Sequence, residues 1–431
     1  MNTSGLILSK TMKKFKNASV LFLIIGSLFF SGYSSVKAEI KEDSKSENTS
    51  QINIAEVDPK LRAEAIKQGE DAREKIALLK KDSSLNTTAK IILDKADEAN
   101  KQGNNELYLE KLREYNQIID DEPIEKQIES KVLLAKVLFS QFQVKESERI
   151  LEEVITLESN NPEHFLDYAQ SLKWNGKYQE MKEASLQAIS LIRDQKIVDE
   201  ILLSRGLNSL GGAYFFSGQY ELAIRPLEKA LKLRKKLLGE EHLDVAVSLN
   251  ELALLYSTQG RYNEAEPLYE QSLESLKKLL GEEHLDVATS LNNLAGIYSS
   301  QGRYSEAELL YKQSLELFQK LLGEEHSTSL TILNNIAVNY LAQGKYSEAE
   351  LLYEQSLELR KKILGEEHPD VATSLNNLAV LYFRQGKYSE AKLIFEEALK
   401  ILEARLGINH PNTNITRQSL QQTLDVMNKQ P

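Results

Sequence analysis

A repeat of 42 residues constrains this chain more than any other feature of its sequence. Glycine followed two residues later by tyrosine occurs six times at steps of 42, namely Gly176-Tyr178, Gly218-Tyr220, Gly260-Tyr262, Gly302-Tyr304, Gly344-Tyr346 and Gly386-Tyr388. A fixed period of about 20 to 50 residues is typical of a solenoid, in which each unit packs only against its neighbours. The period therefore predicts one continuous array of repeats, although 431 residues would ordinarily suggest two or three domains.

Each repeat predicts a helical hairpin. On both sides of Gly302, residues recur at the three- and four-residue spacing of one helix face: Leu291, Leu294, Ala295 and Tyr298, then Tyr304, Ala307, Tyr311, Ser314 and Leu315. Gly302 should end the first helix, because glycine adopts the left-handed C-terminal turn at little cost. Ala295 and Ala307 are small where two helices should approach closely. No alternating strand pattern occurs, so the sequence predicts an all-α solenoid of stacked hairpins.

The spacing of these leucines, alanines, tyrosines and glycine resembles the tetratricopeptide repeat, whose usual unit has about 34 residues. The 42-residue form carries the signature HPDVATSLNNLA at residues 368–379 and is similar to the cargo-binding repeats of kinesin light chains. Many bacterial repeat proteins share this signature. The resemblance implies a right-handed superhelix that binds a protein or peptide in its concave groove.

The phase of the repeats and the composition divide the chain. We predict a cleaved signal peptide at 1–38, because a basic flank precedes a short apolar run and Ala38 ends a small-x-small exit. The protein would then be exported to the periplasm or the cell exterior, with an uncleaved anchor as the alternative. The other predicted segments are a flexible leader at 39–55, an irregular helical region at 56–128, divergent repeats at 129–196, five 42-residue repeats at 197–406 and a capping helix at 407–431.

Composition argues against chemistry at an active site. The chain has no cysteine, and its net charge of −11 would become about −16 after loss of residues 1–38, which makes nucleic acid an unfavourable partner. No nucleophile elbow, zinc-binding helix motif or phosphate-binding loop is present. Five histidines recur at the 42-residue spacing, and we interpret them as loop caps rather than metal ligands: His242, His284, His326, His368 and His410. The sequence therefore predicts no enzyme, no cofactor and no small-molecule substrate.

Asparagine recurs one residue after a core leucine in every 42-residue repeat, at Asn208, Asn250, Asn292, Asn334 and Asn376. This position points about 100° away from the core stripe, toward the groove that the resemblance implies. A carboxamide can donate and accept hydrogen bonds, so this row is suited to holding the backbone of an extended peptide. The alternative is that these asparagines bond between neighbouring helices and only brace the solenoid.

Specificity would come from neighbouring groove positions. Three of these are apolar, Phe215, Leu341 and Phe383, and Arg384 adds a cation. We therefore predict a monomeric, non-catalytic scaffold for a protein or extended peptide. One alternative is a self-assembling structural subunit of an envelope complex, and another is an enzyme confined to residues 56–128.

Overall fold

The computed structural model describes residues 59–428 except 83, 197 and 409. The predicted signal peptide (1–38), the predicted flexible leader (39–55) and residues 56–58 lie outside the described residues. The described residues form eighteen α-helices and no strand. In chain order these are α1 (Pro59–Leu79), α2 (Thr87–Lys101), α3 (Asn105–Ile118), α4 (Ile124–Ser140), α5 (Val144–Leu157), α6 (Pro162–Trp174), α7 (Tyr178–Arg193), α8 (Glu200–Phe216), α9 (Tyr220–Leu238), α10 (Leu243–Thr258), α11 (Tyr262–Leu280), α12 (Leu285–Ser300), α13 (Tyr304–Leu322), α14 (Ser327–Ala342), α15 (Tyr346–Leu364), α16 (Pro369–Arg384), α17 (Tyr388–Leu406) and α18 (Pro411–Met427).

From α2 onward the helices form consecutive hairpins, which confirms the predicted all-α solenoid. We call the first helix of each hairpin an A helix (α2, α4, α6 and so on to α18) and the second a B helix (α3, α5, α7 and so on to α17). The described residues fall into two compact units, with the boundary between Leu255 and Tyr256 inside α10. Within each unit, A helices contact the next A helix of the array, as α6 contacts α8 and α14 contacts α12.

Glycine ends each A helix of the regular repeats, as predicted. Gly302 has φ 80° and the equivalent glycines from Gly176 to Gly386 have φ between 70° and 80°, the left-handed region. After this turn the Arg303 N–H donates to the Tyr298 carbonyl oxygen at 2.8 Å, which satisfies a carbonyl at the helix end. Phe142 stands where the divergent repeat lacks its glycine, and it adopts φ 61°. Tertiary packing therefore imposes the same turn on a residue that does not favour it.

Histidine caps the N-terminus of five A helices (α10, α12, α14, α16 and α18), which confirms the predicted capping role. In His284 the Nδ1 atom accepts a hydrogen bond from the Asp286 backbone N–H at 3.2 Å. The same contact occurs at His242, His326, His368 and His410 at 3.1 to 3.2 Å. The imidazole thus takes the place of the oxygen that usually caps a helix N-terminus. Within the described ranges, no three metal-ligating side chains come together.

The two alanines of each hairpin lie where its helices meet. Ala295 of α12 and Ala307 of α13 are both completely buried, as the sequence predicts. Large side chains of the B helices are buried as well, with Phe318 of α13 at 1% exposure and Tyr353 of α15 at 0%. Each hairpin therefore depends on its neighbours to cover its apolar face. Among residues 59–428, leaving out the three that are not described, none of the helices is both long and apolar enough to span a bilayer.

Candidate functional site

The candidate site lies on one face of the A helices. We define the groove face as four positions of each A helix, which in α12 are Asn292, Gly296, Ser299 and Ser300. The 42-residue repeat carries these positions to the other A helices, so that α8 presents Asn208, Gly212, Phe215 and Phe216. In α16 they are Asn376, Val380, Phe383 and Arg384. All nine residues predicted from sequence to bind a partner occupy groove-face positions.

The five predicted asparagines differ in burial. Asn208, Asn250 and Asn292 are half-buried, whereas Asn334 is completely buried and Asn376 is 7% exposed. The five predicted asparagines therefore do not share one environment, and their role in binding stays a prediction. Adjacent A helices pack against each other along the row of asparagines. The 42-residue period does not show how closely these helices approach.

Two of these asparagines also brace neighbouring A helices. The Asn292 Oδ1 atom accepts from Asn335 Nδ2 at 2.9 Å, which joins α12 to α14. The Asn376 Oδ1 atom accepts from Thr416 Oγ1 at 3.1 Å, which joins α16 to α18. At these two positions the structure favours the bracing alternative, because a carboxamide already bonded within the chain has less capacity for a ligand.

The apolar groove residues also differ. Leu341 is 7% exposed and packs in a hydrophobic cluster with Ala337 and Val338, and its role as a partner anchor stays a prediction. Phe215 is half-buried, with its ring centroid 5.6 Å from that of Tyr220. Phe383 is also half-buried, and its centroid lies 5.3 Å from that of Tyr388.

Arg384 is the cation of the groove face in α16. It is half-buried and forms no ion pair or side-chain hydrogen bond with any residue in the described part of the chain. A guanidinium group in this state keeps all its N–H donors available to a ligand. Arg384 and the adjacent Phe383 ring therefore provide a cation and an apolar surface side by side.

The structure shows an occupant on this face in the N-terminal unit, which is the chain's own helix α1. The Glu64 carboxylate accepts hydrogen bonds from Lys173 Nζ at 2.8 Å, from Gln170 Nε2 at 3.1 Å and from Trp174 Nε1. Gln170, Lys173 and Trp174 stand at groove-face positions of α6, one 42-residue step before Gly212, Phe215 and Phe216 of α8.

Helix α1 also covers the groove face of α4. Lys75 forms an ion pair with Glu129 at 2.7 Å, and Asp71 lies 3.5 Å from Lys136. Where α1 meets the C-terminal end of α4, a Cβ atom on Gly69 would lie only 3.3 Å from the Ser140 Cβ atom. The apolar face of α1 is buried in this contact, with Leu61, Ala65, Ala72, Ile76 and Leu79 all at 6% exposure or less.

An ion pair and charge-assisted hydrogen bonds stabilise the contact between α1 and α6. Burial raises the pKa of Glu64, but the Lys173 charge and the hydrogen bonds from Lys173, Trp174 and Gln170 outweigh that effect and bring the pKa below its usual value. The Lys173 Nζ atom lies 4.9 Å from the centroid of the Trp174 ring, in cation–π geometry. The carboxylate is therefore ionised and fully engaged at neutral pH.

Sequence reasoning did not find this contact. Glu64 and Trp174 are separated by 110 positions, and no repeat pattern connects them. One signal was available, because the apolar residues of α1 follow helical spacing although α1 lies ahead of the first hairpin and has no partner within a repeat.

Comparison with known proteins agrees with this architecture. The family profile described as tetratricopeptide repeat matches residues 202–278, 244–320, 286–362 and 328–404. No curated protein matches the chain in sequence.

Several solved structures are similar to this chain. A kinesin-light-chain protein of Podosopora anserina with nearly identical tetratricopeptide-like repeats shares 31% identity over 48% of this chain and 98% of its own, with a TM-score of 0.43. BtubC from P. vanneervenii shares 22% identity over 57% of this chain and 94% of its own, with a TM-score of 0.43. A tetratricopeptide repeat protein of Parabacteroides merdae shares 18% identity over 69% of this chain and 99% of its own, with a TM-score of 0.48.

The family profile covers the same residues in which glycine turns, histidine caps and buried alanines recur at 42-residue spacing. Through residues 202–404 the chain belongs to the tetratricopeptide-repeat family.

Proposed function

We propose that this protein is a non-catalytic scaffold that binds a partner protein or peptide on the groove face of its A helices. The observation that supports this most strongly is the occupation of the groove face of α6 by helix α1, through Gln170, Lys173 and Trp174. A surface that already binds a helix of the same chain has the shape and chemistry to bind a helix of another. Extended concave surfaces are also the usual binding surfaces of repeat proteins.

The partner that fits best is an amphipathic helix that carries a carboxylate. Helix α1 has this character, since it buries an apolar face and places Glu64 against Lys173. In α16 the half-buried Phe383 ring would contact an apolar side chain of the partner, and the unpaired Arg384 would bind its carboxylate. Asn292 and Asn376 already bond within the chain, so we assign recognition to side-chain anchors rather than to a row of amides holding an extended backbone.

The place of action is a separate proposal. The predicted signal peptide at 1–38 lies outside the described residues and supports export, with the partner met in the periplasm or outside the cell.

Site-specific photo-crosslinking tests the binding surface. A photoreactive phenylalanine analogue would replace Phe215 or Phe383 on the groove face, and Leu351 or Leu393 on B helices as matched controls. These leucines are 66% and 65% exposed, so they present apolar side chains that are more accessible than the half-buried Phe215 and Phe383 and would crosslink any nonspecific partner at least as readily. We expect one and the same partner to be crosslinked from Phe215 or Phe383 and not from either leucine. Crosslinks of that partner from the leucines alone would refute the groove face as the binding surface.

Self-assembly is the second candidate function, and one observation favours it. Leu309, Leu351 and Leu393 recur at the same position of three B helices and are 59%, 66% and 65% exposed, which forms a repeated apolar surface. The same crosslinking experiment distinguishes the two functions. Crosslinks between copies of this chain through Leu351 or Leu393 would indicate a structural subunit, whereas light scattering of a scaffold should give a monomer.

A further inference from the structure

One arginine in the C-terminal unit is buried without a counter-ion. Arg360 of α15 is 4% exposed. Its Nη1 atom donates to the Asp370 carbonyl oxygen at 3.2 Å and to Ser374 Oγ at 3.0 Å, and Nη2 donates to Thr331 Oγ1 at 3.2 Å. No carboxylate among the described residues lies within ion-pair distance of the guanidinium. A buried charge without an opposite charge is costly, so this arrangement calls for a compensating group.

Two buried amides without hydrogen-bond partners follow partners of this arginine along α14 and α16. Asn334 follows Thr331 by three residues and Asn377 follows Ser374 by three, so each amide lies about one helical turn beyond a hydrogen-bond partner of Arg360. Asn334 and Asn377 are 0% and 1% exposed, and in both the Nδ2 and Oδ1 atoms have no hydrogen-bond partner. Buried amides are normally paired, so the two Nδ2 donors in this layer are available to a ligand.

The register of the A helices brings these two amides together. Asn292 and Asn335 are 43 residues apart and their side chains meet at 2.9 Å between α12 and α14. Asn334 and Asn377 have the same spacing between α14 and α16. Because one repeat separates the two pairs, the amides of Asn334 and Asn377 face the same interface.

The chain contains its own comparison three repeats earlier, in the N-terminal unit. Arg234 occupies the position of Arg360, is 8% exposed, and donates to the Asp244 carbonyl oxygen at 3.2 Å and to Ser248 Oγ at 2.6 Å. In that layer Glu251 stands at the position of Asn377, with its Oε2 atom buried. Glu251 Oε2 has no hydrogen-bond partner, and no ion pair joins Glu251 to Arg234 among the described residues, so the two layers differ in the residue type at this position, a carboxylate in one and an amide in the other.

Neither a nearby acid nor the packing of the repeats accounts for the buried charge of Arg360. Asp370 is the nearest acid to Arg360, but its carboxylate lies beyond ion-pair distance, and Asp244 occupies the same position beside Arg234. In the remaining repeats the arginine position holds Leu276, Phe318 or Leu402, all buried, so neither fold nor packing requires a charge there.

We propose that Arg360, Asn334 and Asn377 bind one small anion of the chloride class. A guanidinium has five N–H donors, so the three hydrogen bonds of Arg360 leave donors for the anion. The Nδ2 atoms of both asparagines donate to it as well. The near-complete burial of all three side chains restricts the site to a small ion.

Thermal unfolding of the full chain in sodium chloride and in sodium gluconate of equal ionic strength tests the proposal. Gluconate is too large for a buried site, so we expect the chloride solution to raise the melting temperature by about 2–4 °C. Arg360→Leu should abolish this difference, and leucine already occupies the position in two repeats. Asn377→Glu should abolish it too, because it supplies an internal carboxylate. Arg234→Leu is the matched control and should keep the wild-type response.

Each result of these measurements either supports or contradicts the anion site. No difference between the two salts in the wild type, or a wild-type response in Arg360→Leu, would overturn the proposal. If Arg360→Leu fails to fold, Asn377→Glu decides alone, and its unchanged response would be equally negative. Crystals grown in sodium bromide should show an anomalous scattering peak beside the Arg360 guanidinium, and a peak elsewhere only would exclude the site.

Discussion

Replacing Glu64 with alanine should release helix α1 from the groove face of α6. The carboxylate accepts hydrogen bonds from Lys173, Gln170 and Trp174, and no other acid of α1 contacts α6 among the described hydrogen bonds and ion pairs. The substitution removes the acceptor that Glu64 provides to the Lys173 ammonium group and the Trp174 N–H. Both are mostly buried, so these donors would have to regain water by moving α1 away.

The size of the effect follows from the burial of the pair. Removing one partner of a buried ion pair costs about 3–5 kcal/mol. The side chains of Glu64 and Lys173 are 28% and 19% exposed, and solvent will screen part of that cost. We therefore expect about 3 kcal/mol, which corresponds to about a hundredfold rise in the population of the state in which α1 is detached.

Hydrogen exchange measures this population directly. The backbone amides of Pro59–Leu79 should lose about a hundredfold of their protection in Glu64→Ala, while those of the C-terminal repeats should keep theirs. Glu74→Ala is the matched control, because Glu74 lies on the exposed side of α1. Equal protection of α1 in both variants would refute the role of Glu64.

Lowering the pH should also release α1 from α6 in the wild-type protein. The pKa of folded Glu64 lies below the ordinary value of 4.5, so its stabilising contribution is complete above pH 4.5 and is lost as the pH falls through the folded pKa. Protection of α1 should therefore fall in acid, and Glu64→Ala should show less of this pH dependence than the wild type.

Three further predictions concern other parts of the chain. The mature protein should begin at Glu39, which mass analysis of the exported protein would show; intact residues 13–38 would indicate a membrane anchor instead. Ala295→Trp should overfill a completely buried helix contact and destabilise the protein by about 1–3 kcal/mol in denaturant unfolding. Equal tolerance of Glu282→Trp and Ala295→Trp would contradict the repeat register, since the Glu282 side chain is 79% exposed. Deleting 407–431 removes α18 from α17 and α16 and should cause aggregation in light scattering, whereas a monomeric, equally stable product would contradict a capping role.

The local features of the fold could be predicted from the sequence. A glycine such as Gly302 specifies the turn at its own position, and a histidine such as His284 caps the helix that begins at the next residue. Ala295 and Ala307 report a close helix contact through their size alone. These features depend on neighbours in the chain, and the 42-residue period repeats them.

Features that depend on distant packing could not be predicted in the same way. The sequence places Leu341 and Asn334 on the groove face, but their burial depends on how closely α14 meets the adjacent A helices. Phe142 adopts φ 61° because its hairpin requires the turn that glycine makes elsewhere. The position of α1 depends on contacts such as Glu64 with Trp174, across 110 positions, and a repeat period contains no information about a helix outside the repeats.

Binding by the groove face is tested most directly by the affinity of the crosslinked partner for a double variant, Phe383→Ala with Arg384→Ala. Truncating a central anchor costs about 2 kcal/mol or more, so the dissociation constant should rise at least about thirtyfold. The control is Leu351→Ala with Leu393→Ala, which removes exposed apolar side chains from B helices and should leave the affinity unchanged. An unchanged affinity in the groove variant, or an equal loss in the control, would contradict binding of the partner by the groove face.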